Sequence, residues 1–71
     1  AHWLIASTES ALGECLMARG RMAEAEPLLA SSYARLLESR GPDHERTRDA
    51  KRRLARLYDL TGRPALAAPL R

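Results

Sequence analysis

Apolar residues recur along this chain at the three-to-four spacing of a helical face, and the pattern breaks in three places. A first helix is expected from about His2 to Ala18. Leu4, Thr8, Ala11, Leu12, Cys15 and Leu16 form its apolar stripe. Gly20 follows, where a left-handed helix end favours glycine. A second helix is expected from about Met22 to Ser39, with the stripe Met22, Ala25, Leu28, Leu29, Ser32, Tyr33, Leu36 and Leu37. Glu24 and Glu26 suit the positive end of its dipole. Pro27 lies past the first turn, where it removes a backbone hydrogen bond. Gly41-Pro42-Asp43-His44 is the clearest break, with Asp43 placed to cap the third helix. That helix runs from about His44 to Thr61 with Ala50, Leu54, Leu57 and Tyr58 on its stripe. Gly62 ends it, and a fourth begins near Pro64, a residue suited to a first helical turn.

A shift of 42 residues brings the two halves into register without a gap. Leu12 then meets Leu54, Leu16 meets Tyr58, and Gly20-Arg21 meets Gly62-Arg63. Ala23, Ala25 and Pro27-Leu28 meet Ala65, Ala67 and Pro69-Leu70. Each unit is a helix, a tight Gly-Arg turn and a second helix. The recurrence of proline at one position implies an architecture that tolerates it there. Gly13 and Ala55 are expected where paired helices cross closely, facing Ala25 and Ala67. The fold expected is all-α. Residues 1–42 form a first helical hairpin, and 43–71 form a second that is cut short in its last helix.

Composition agrees with helices. Ala, Leu, Glu and Arg dominate, there is no Phe, and aromatic residues make up 4% of the chain. One cysteine permits no internal disulfide, and two histidines with one cysteine do not make a structural zinc site. So short a chain buries a small core. It opens on Ala1 and stops soon after a helix start, and is expected to be a segment of a longer array, marginal in stability alone. No apolar run is long enough to span a bilayer, and no signal peptide is evident. A cytoplasmic location is the expectation, with a membrane-anchored parent left open.

The pattern Leu12-Gly13, Leu16, Gly20, Ala25, Leu28-Leu29, echoed by Leu54-Ala55, Tyr58, Gly62, Ala67 and Leu70, resembles the tetratricopeptide repeat (TPR). The 42-residue period, Ala23-Glu24-Ala25-Glu26 and Gly41-Pro42-Asp43-His44 resemble its kinesin-light-chain type. His2-Trp3, Leu12-Gly13-Glu14-Cys15-Leu16 and Glu24-Ala25-Glu26-Pro27-Leu28-Leu29 also resemble repeats at the C-terminal end of bacterial serine/threonine kinases and related regulators. Glu45 stands where such repeats often have proline, and Arg21 and Arg63 stand where many have a capping aspartate. The resemblance implies part of a right-handed α-solenoid with neighbouring repeats as partners. It implies a scaffolding or regulatory segment that binds protein or peptide. The parent itself could be a kinase.

Charge is uneven. Residues 1–40 carry four Arg against five Glu, whereas residues 41–71 carry eight Lys or Arg against four acids. By the family register, Ser7, Ser10, Ala11, Glu14 and Met17 of the first unit face a concave groove. Asp49, Arg52, Arg53, Arg56 and Asp59 of the second face it too. Arg52, Arg53, Arg56 and Glu14 are the candidate peptide-binding residues. Guanidinium forks suit carboxylates, so the expected ligand is an acidic peptide or the C-terminus of another protein. A solvated face with local pairs Asp49–Arg53 and Asp59–Arg63 is the competing reading, and Asp49 makes Arg53 the weakest of the three. A helix-turn-helix contact with nucleic acid is a lesser alternative, because no recognition helix stands out. Cys15 is expected to be a small core residue, and Trp3 and Tyr33 to pack between helices. No catalytic residue, cofactor, metal or membrane contact is expected, since the sequence holds no activated nucleophile, acid–base pair or phosphate loop.

Overall fold

The computed structural model describes residues 2–70, with His2 described by its backbone alone. Four helices occupy nearly all of it: α1 (His2–Ala18), α2 (Met22–Arg40), α3 (Glu45–Leu60) and α4 (Pro64–Ala67), the last continuing into a 3-10 turn at Ala68–Leu70. No strand occurs among the described residues. Each boundary falls close to the one the sequence pattern predicts.

The two glycine turns share one geometry. Gly20 and Gly62 take φ of 77° and 74°. In the first turn, Arg21 N–H donates to the Leu16 carbonyl at 2.9 Å and Gly20 N–H to Met17 at 2.9 Å. In the second, Arg63 N–H donates to the Tyr58 carbonyl at 2.8 Å and Gly62 N–H to Asp59 at 3.3 Å. This pair of bonds closes a helix end through one left-handed residue, which glycine adopts without a steric penalty. Neither Arg21 nor Arg63 uses its side chain to cap the helix that follows.

The third cap differs from expectation. His44, not Asp43, is the N-cap of α3, and its Nδ1 accepts the Arg46 N–H at 3.1 Å. Asp43 lies one residue too early to reach the first orphan amides of that helix. His44 also meets Trp3 edge-on at 5.8 Å, and the Arg40 guanidinium lies 4.7 Å from the Trp3 ring centre. The starts of α1 and α3 are thereby tied to the end of α2.

α2 is the central element. It runs antiparallel to α1, packing Ala25 and Leu29 beside Gly13 and Met17, and Leu36 beside Ala6. It runs antiparallel to α3 as well, with Leu29 against Leu54 and Leu57, and Leu36 against Ala50. Tyr33 touches both clusters. Thr47 donates its hydroxyl to the Leu36 carbonyl at 3.1 Å, fixing α3 on the end of α2. Pro27 sits inside α2 on its outer side, away from the fully buried Ala25 and Leu29. The carbonyl left without an amide is thus on the solvent side, and the helix continues unbroken.

The first helix corrects one expectation. Its buried face is Ala6, Ser10, Gly13 and Met17, flanked by half-buried Trp3 and Leu16. The apolar stripe Leu4, Thr8, Ala11, Leu12 and Cys15 faces outward, and of the predicted set only Leu16 packs on the core. Leu4, Ile5 and Leu12 are 52%, 58% and 51% exposed. Cys15 is exposed and is no core residue. The physical reason lies in the helix crossing: α1 and α2 approach too closely for large side chains, so small residues take the shared face. Leucines are left on the other side.

Gly13 marks the closest approach. A Cβ there would sit 2.7 Å from Leu29 Cγ and 2.8 Å from Cδ2. Leu29 is fully buried and has nowhere to retreat. Gly13→Ala therefore destabilises the protein by about 1–3 kcal/mol through overpacking. This outweighs the roughly 1 kcal/mol by which alanine is the better helix former. The exposed change Glu38→Ala stays within about 0.5 kcal/mol. Chemical denaturation of the two variants checks this, and a gain in stability for Gly13→Ala would mean that Leu29 yields.

Candidate functional site

α1 and α3 lie side by side and run the same way, both packed on α2. Their neighbouring edges leave a cleft of about 230 Å³ lined by Glu14, Met17, Ala18, Arg52, Arg53, Arg56 and Leu60. All four residues singled out from the sequence line this one cleft. Its rim is charged, and Met17, Ala18 and Leu60 give it an apolar floor and wall. Leu60 is 56% exposed there.

The three arginines are not equivalent. Arg53 is half-buried and bridges the helices: its guanidinium pairs with Glu14 and donates to the Ser10 hydroxyl at 2.9 Å. Arg52 is largely exposed and holds Asp49 of its own helix at 2.7 Å. Asp49 thus occupies Arg52 and not Arg53, which corrects the expected local pair. Arg56 is exposed and has no hydrogen-bond or ion-pair partner among the described residues. Among the described residues, the arrangement sets one unpaired guanidinium beside one that is lightly held and one that is committed to structure. Of the remaining groove positions, Ser10 and Met17 are buried, Ser7 and Asp49 half-buried, and Ala11 and Asp59 exposed.

A second charged element ties the turn after α3 to α2. Arg63, in the second turn, reaches across to α2 and grips Glu26 with two hydrogen bonds, at 2.5 and 3.2 Å. The guanidinium also lies 5.1 Å from the Tyr58 ring centre. A fork meeting a carboxylate in this way combines direction with charge. The Arg63 bond holds the Glu26 carboxyl below its ordinary value, against a smaller opposing push from burial. The same bond pushes Arg63 upward, an effect confined to strong alkali. Sequence reasoning missed this pair, since Glu26 and Arg63 are 37 positions apart. The recurring Gly-Arg turn was the available signal.

The match to family models agrees with this architecture. Residues 4–70 match the tetratricopeptide repeat. The chain belongs to that family. No curated protein and no solved structure matches it. Tetratricopeptide repeats generally mediate protein–protein interaction, and the family is typically non-catalytic. Among the described residues of this TPR segment, no helix is long and apolar enough to cross a membrane.

The Glu26–Arg63 pair makes a pH prediction. A carboxyl whose folded pKa is depressed stabilises the fold above its unfolded value, and that contribution disappears as pH falls through the folded value. Stability should therefore drop more steeply between about pH 5 and pH 3 in the wild-type protein than in Glu26→Gln. Both partners are about a third exposed or more, and solvent screening keeps the effect modest. Urea midpoints across that range provide the measurement, and parallel profiles would show that the pair contributes nothing to acid sensitivity.

Proposed function

We propose that this protein is a recognition segment that takes an acidic peptide in the cleft between α1 and α3. The observation that carries the reading is Arg56: an exposed guanidinium with no hydrogen-bond or ion-pair partner among the described residues, one helical turn from Arg52 and beside the apolar surface of Met17 and Leu60. A ligand carboxylate on Arg56 displaces only water. A neighbouring apolar side chain of the same ligand covers the exposed Leu60. Arg52 can leave Asp49 for a better-placed carboxylate, since a surface pair of this kind is worth only about 0–1 kcal/mol. Arg53 is the poorest contact because a ligand there must displace Glu14, and its role is to hold the two helices together. The electrostatic surplus of the second unit adds long-range attraction for an acidic partner.

The resemblance to C-terminal repeats of bacterial serine/threonine kinases and related regulators supports a place as a regulatory or scaffolding segment of a larger bacterial protein. The groove is then one stretch of a longer solenoid wall, with the hairpins 1–42 and 43–71 as successive units. Recognition, not chemistry, is the role the side chains suit.

Fluorescent peptides of matched length, acidic and neutral, test the proposal by anisotropy. The acidic peptide should bind more tightly and weaken as salt rises. Arg56→Ala should cost roughly tenfold in affinity, about 1.4 kcal/mol, and Arg52→Ala less. Arg53→Ala should lower stability before it lowers affinity. Equal binding of acidic and neutral peptides, or no effect of Arg56→Ala, overturns the reading. Salt-sensitive binding of DNA or RNA in preference to acidic peptide would move the cluster to the nucleic-acid class.

A further inference from the structure

Arg52, Arg56 and Leu60 follow one another four positions apart on α3, all three exposed along the cleft. Side chains at that spacing are neighbours on a helix, with Cβ atoms about 6 Å apart. They form a ridge, and Arg52 and Arg56 also line a second hollow on its other side, together with Lys51. Glu14 is already paired with Arg53, and Asp49 holds Arg52 through Nη2 at 2.7 Å. The Arg52 side chain is nevertheless 75% exposed, so part of its fork remains open to a ligand. Arg56 has no hydrogen-bond or ion-pair partner among the described residues.

A single carboxylate cannot use both guanidiniums to advantage. On Arg56 it fills one fork. On Arg52 it only replaces Asp49, one carboxylate for another, with little gain. A phosphate monoester carries a charge near about −2 and three strong acceptor oxygens. It can meet Arg56 with one edge and the open part of Arg52 with another while Asp49 stays in place. Forks of this kind are the geometry that suits phosphate oxygens, and Lys51 adds to the local positive potential.

We propose that the acidic ligand of this cleft is a phosphorylated peptide, whose phosphate bridges Arg52 and Arg56 and whose apolar side chain, two or three residues away, covers Leu60. The inference rests on the acidic-peptide reading and names the anion it takes. From the midpoint of the two arginines to Leu60 is about 9 Å along the helix axis, or about two to three residues of extended peptide. One isolated phosphate fits better than a chain of them. Glu14 on the facing wall, with Asp49 and Asp59 on α3 itself, repels further phosphates along the ridge. Met17, Ala18 and Leu60 offer apolar surface where a nucleic-acid strand would bring its next charge.

Three fluorescent peptides test this by anisotropy. They are identical except at one position, which holds phosphoserine, glutamate or serine, and each has leucines three residues to either side. The phosphoserine peptide should bind about tenfold more tightly than the glutamate peptide, the worth of one more hydrogen bond to a charged group. Its advantage should shrink as pH falls through about 6, where the phosphate takes up its second proton. Arg52→Gln should cost the phosphoserine peptide several-fold more than the glutamate peptide. Arg46→Gln, which removes the same charge from an exposed position outside the cleft, should cost the two alike. Circular dichroism checks that both variants fold. Equal affinity of the phosphoserine and glutamate peptides, both above serine, overturns the phosphate and leaves the acidic-peptide reading standing. Three equal affinities overturn both. Equal losses from Arg52→Gln and Arg46→Gln overturn the bridge. A single-stranded oligonucleotide that displaces the labelled phosphoserine peptide at lower concentration than the unlabelled peptide does also overturns the proposal and assigns the ridge to nucleic acid. Unchanged binding when the leucines become serines overturns the seat on Leu60.

Discussion

The close approach of α1 to α2 is the constraint on which the remaining structure depends. Gly13 lets the Leu29 side chain and the Ala25 backbone come against α1, with Ala6 and Ser10 keeping the same clearance farther along. Because α2 lies so near α1 on one side, its Leu29, Tyr33 and Leu36 can also reach α3 on the other. One helix thereby serves two neighbours. A larger residue at the crossing would push α1 outward, and α1 and α3 would no longer lie near enough for Arg53 to span them.

That span is modest in energy but specific in geometry. Arg53 takes Glu14 and Ser10 from α1 while rooted in α3. Arg63 does the same between the second turn and α2 through Glu26. Both pairs are partly exposed, so neither holds the fold together by itself. No buried side-chain polar atom among the described residues lacks a partner, so this polar layer carries no uncompensated desolvation.

Much of the fold was legible in the sequence because helix-forming composition, apolar periodicity and glycine positions all pointed the same way. Gly20 and Gly62 mark their turns, and Ala25 and Ala67 sit fully buried where close packing was expected. The face of α1 was misread for a definite reason. Periodicity locates an apolar stripe but does not say which element covers it, and the residues that line the real interface are Ala6, Ser10 and Gly13. Small side chains carry little hydrophobic signal. In the site, the family register brought Glu14, Arg52, Arg53 and Arg56 to one cleft, but their partners were not legible. Asp49 stands both three residues from Arg52 and four from Arg53, and either pair is sterically available on a helix. Only the position of Glu14 on another helix decides it. Likewise, spacing alone favoured Asp43 as a cap, whereas the path of the Gly41-Pro42 bend hands that place to His44.

The 42-residue spacing between the glycine turns has a dimensional consequence. The common repeat of this family is about 34 residues, so two helices share roughly eight additional positions, about one turn each. A turn adds about 5.4 Å along a helix axis. The 17 residues of α1 and the 16 of α3 therefore stand as taller pillars than shorter repeats provide. The face that α1 and α3 present side by side is correspondingly broader along the helix axes, and each unit offers about one more turn of side chains on it.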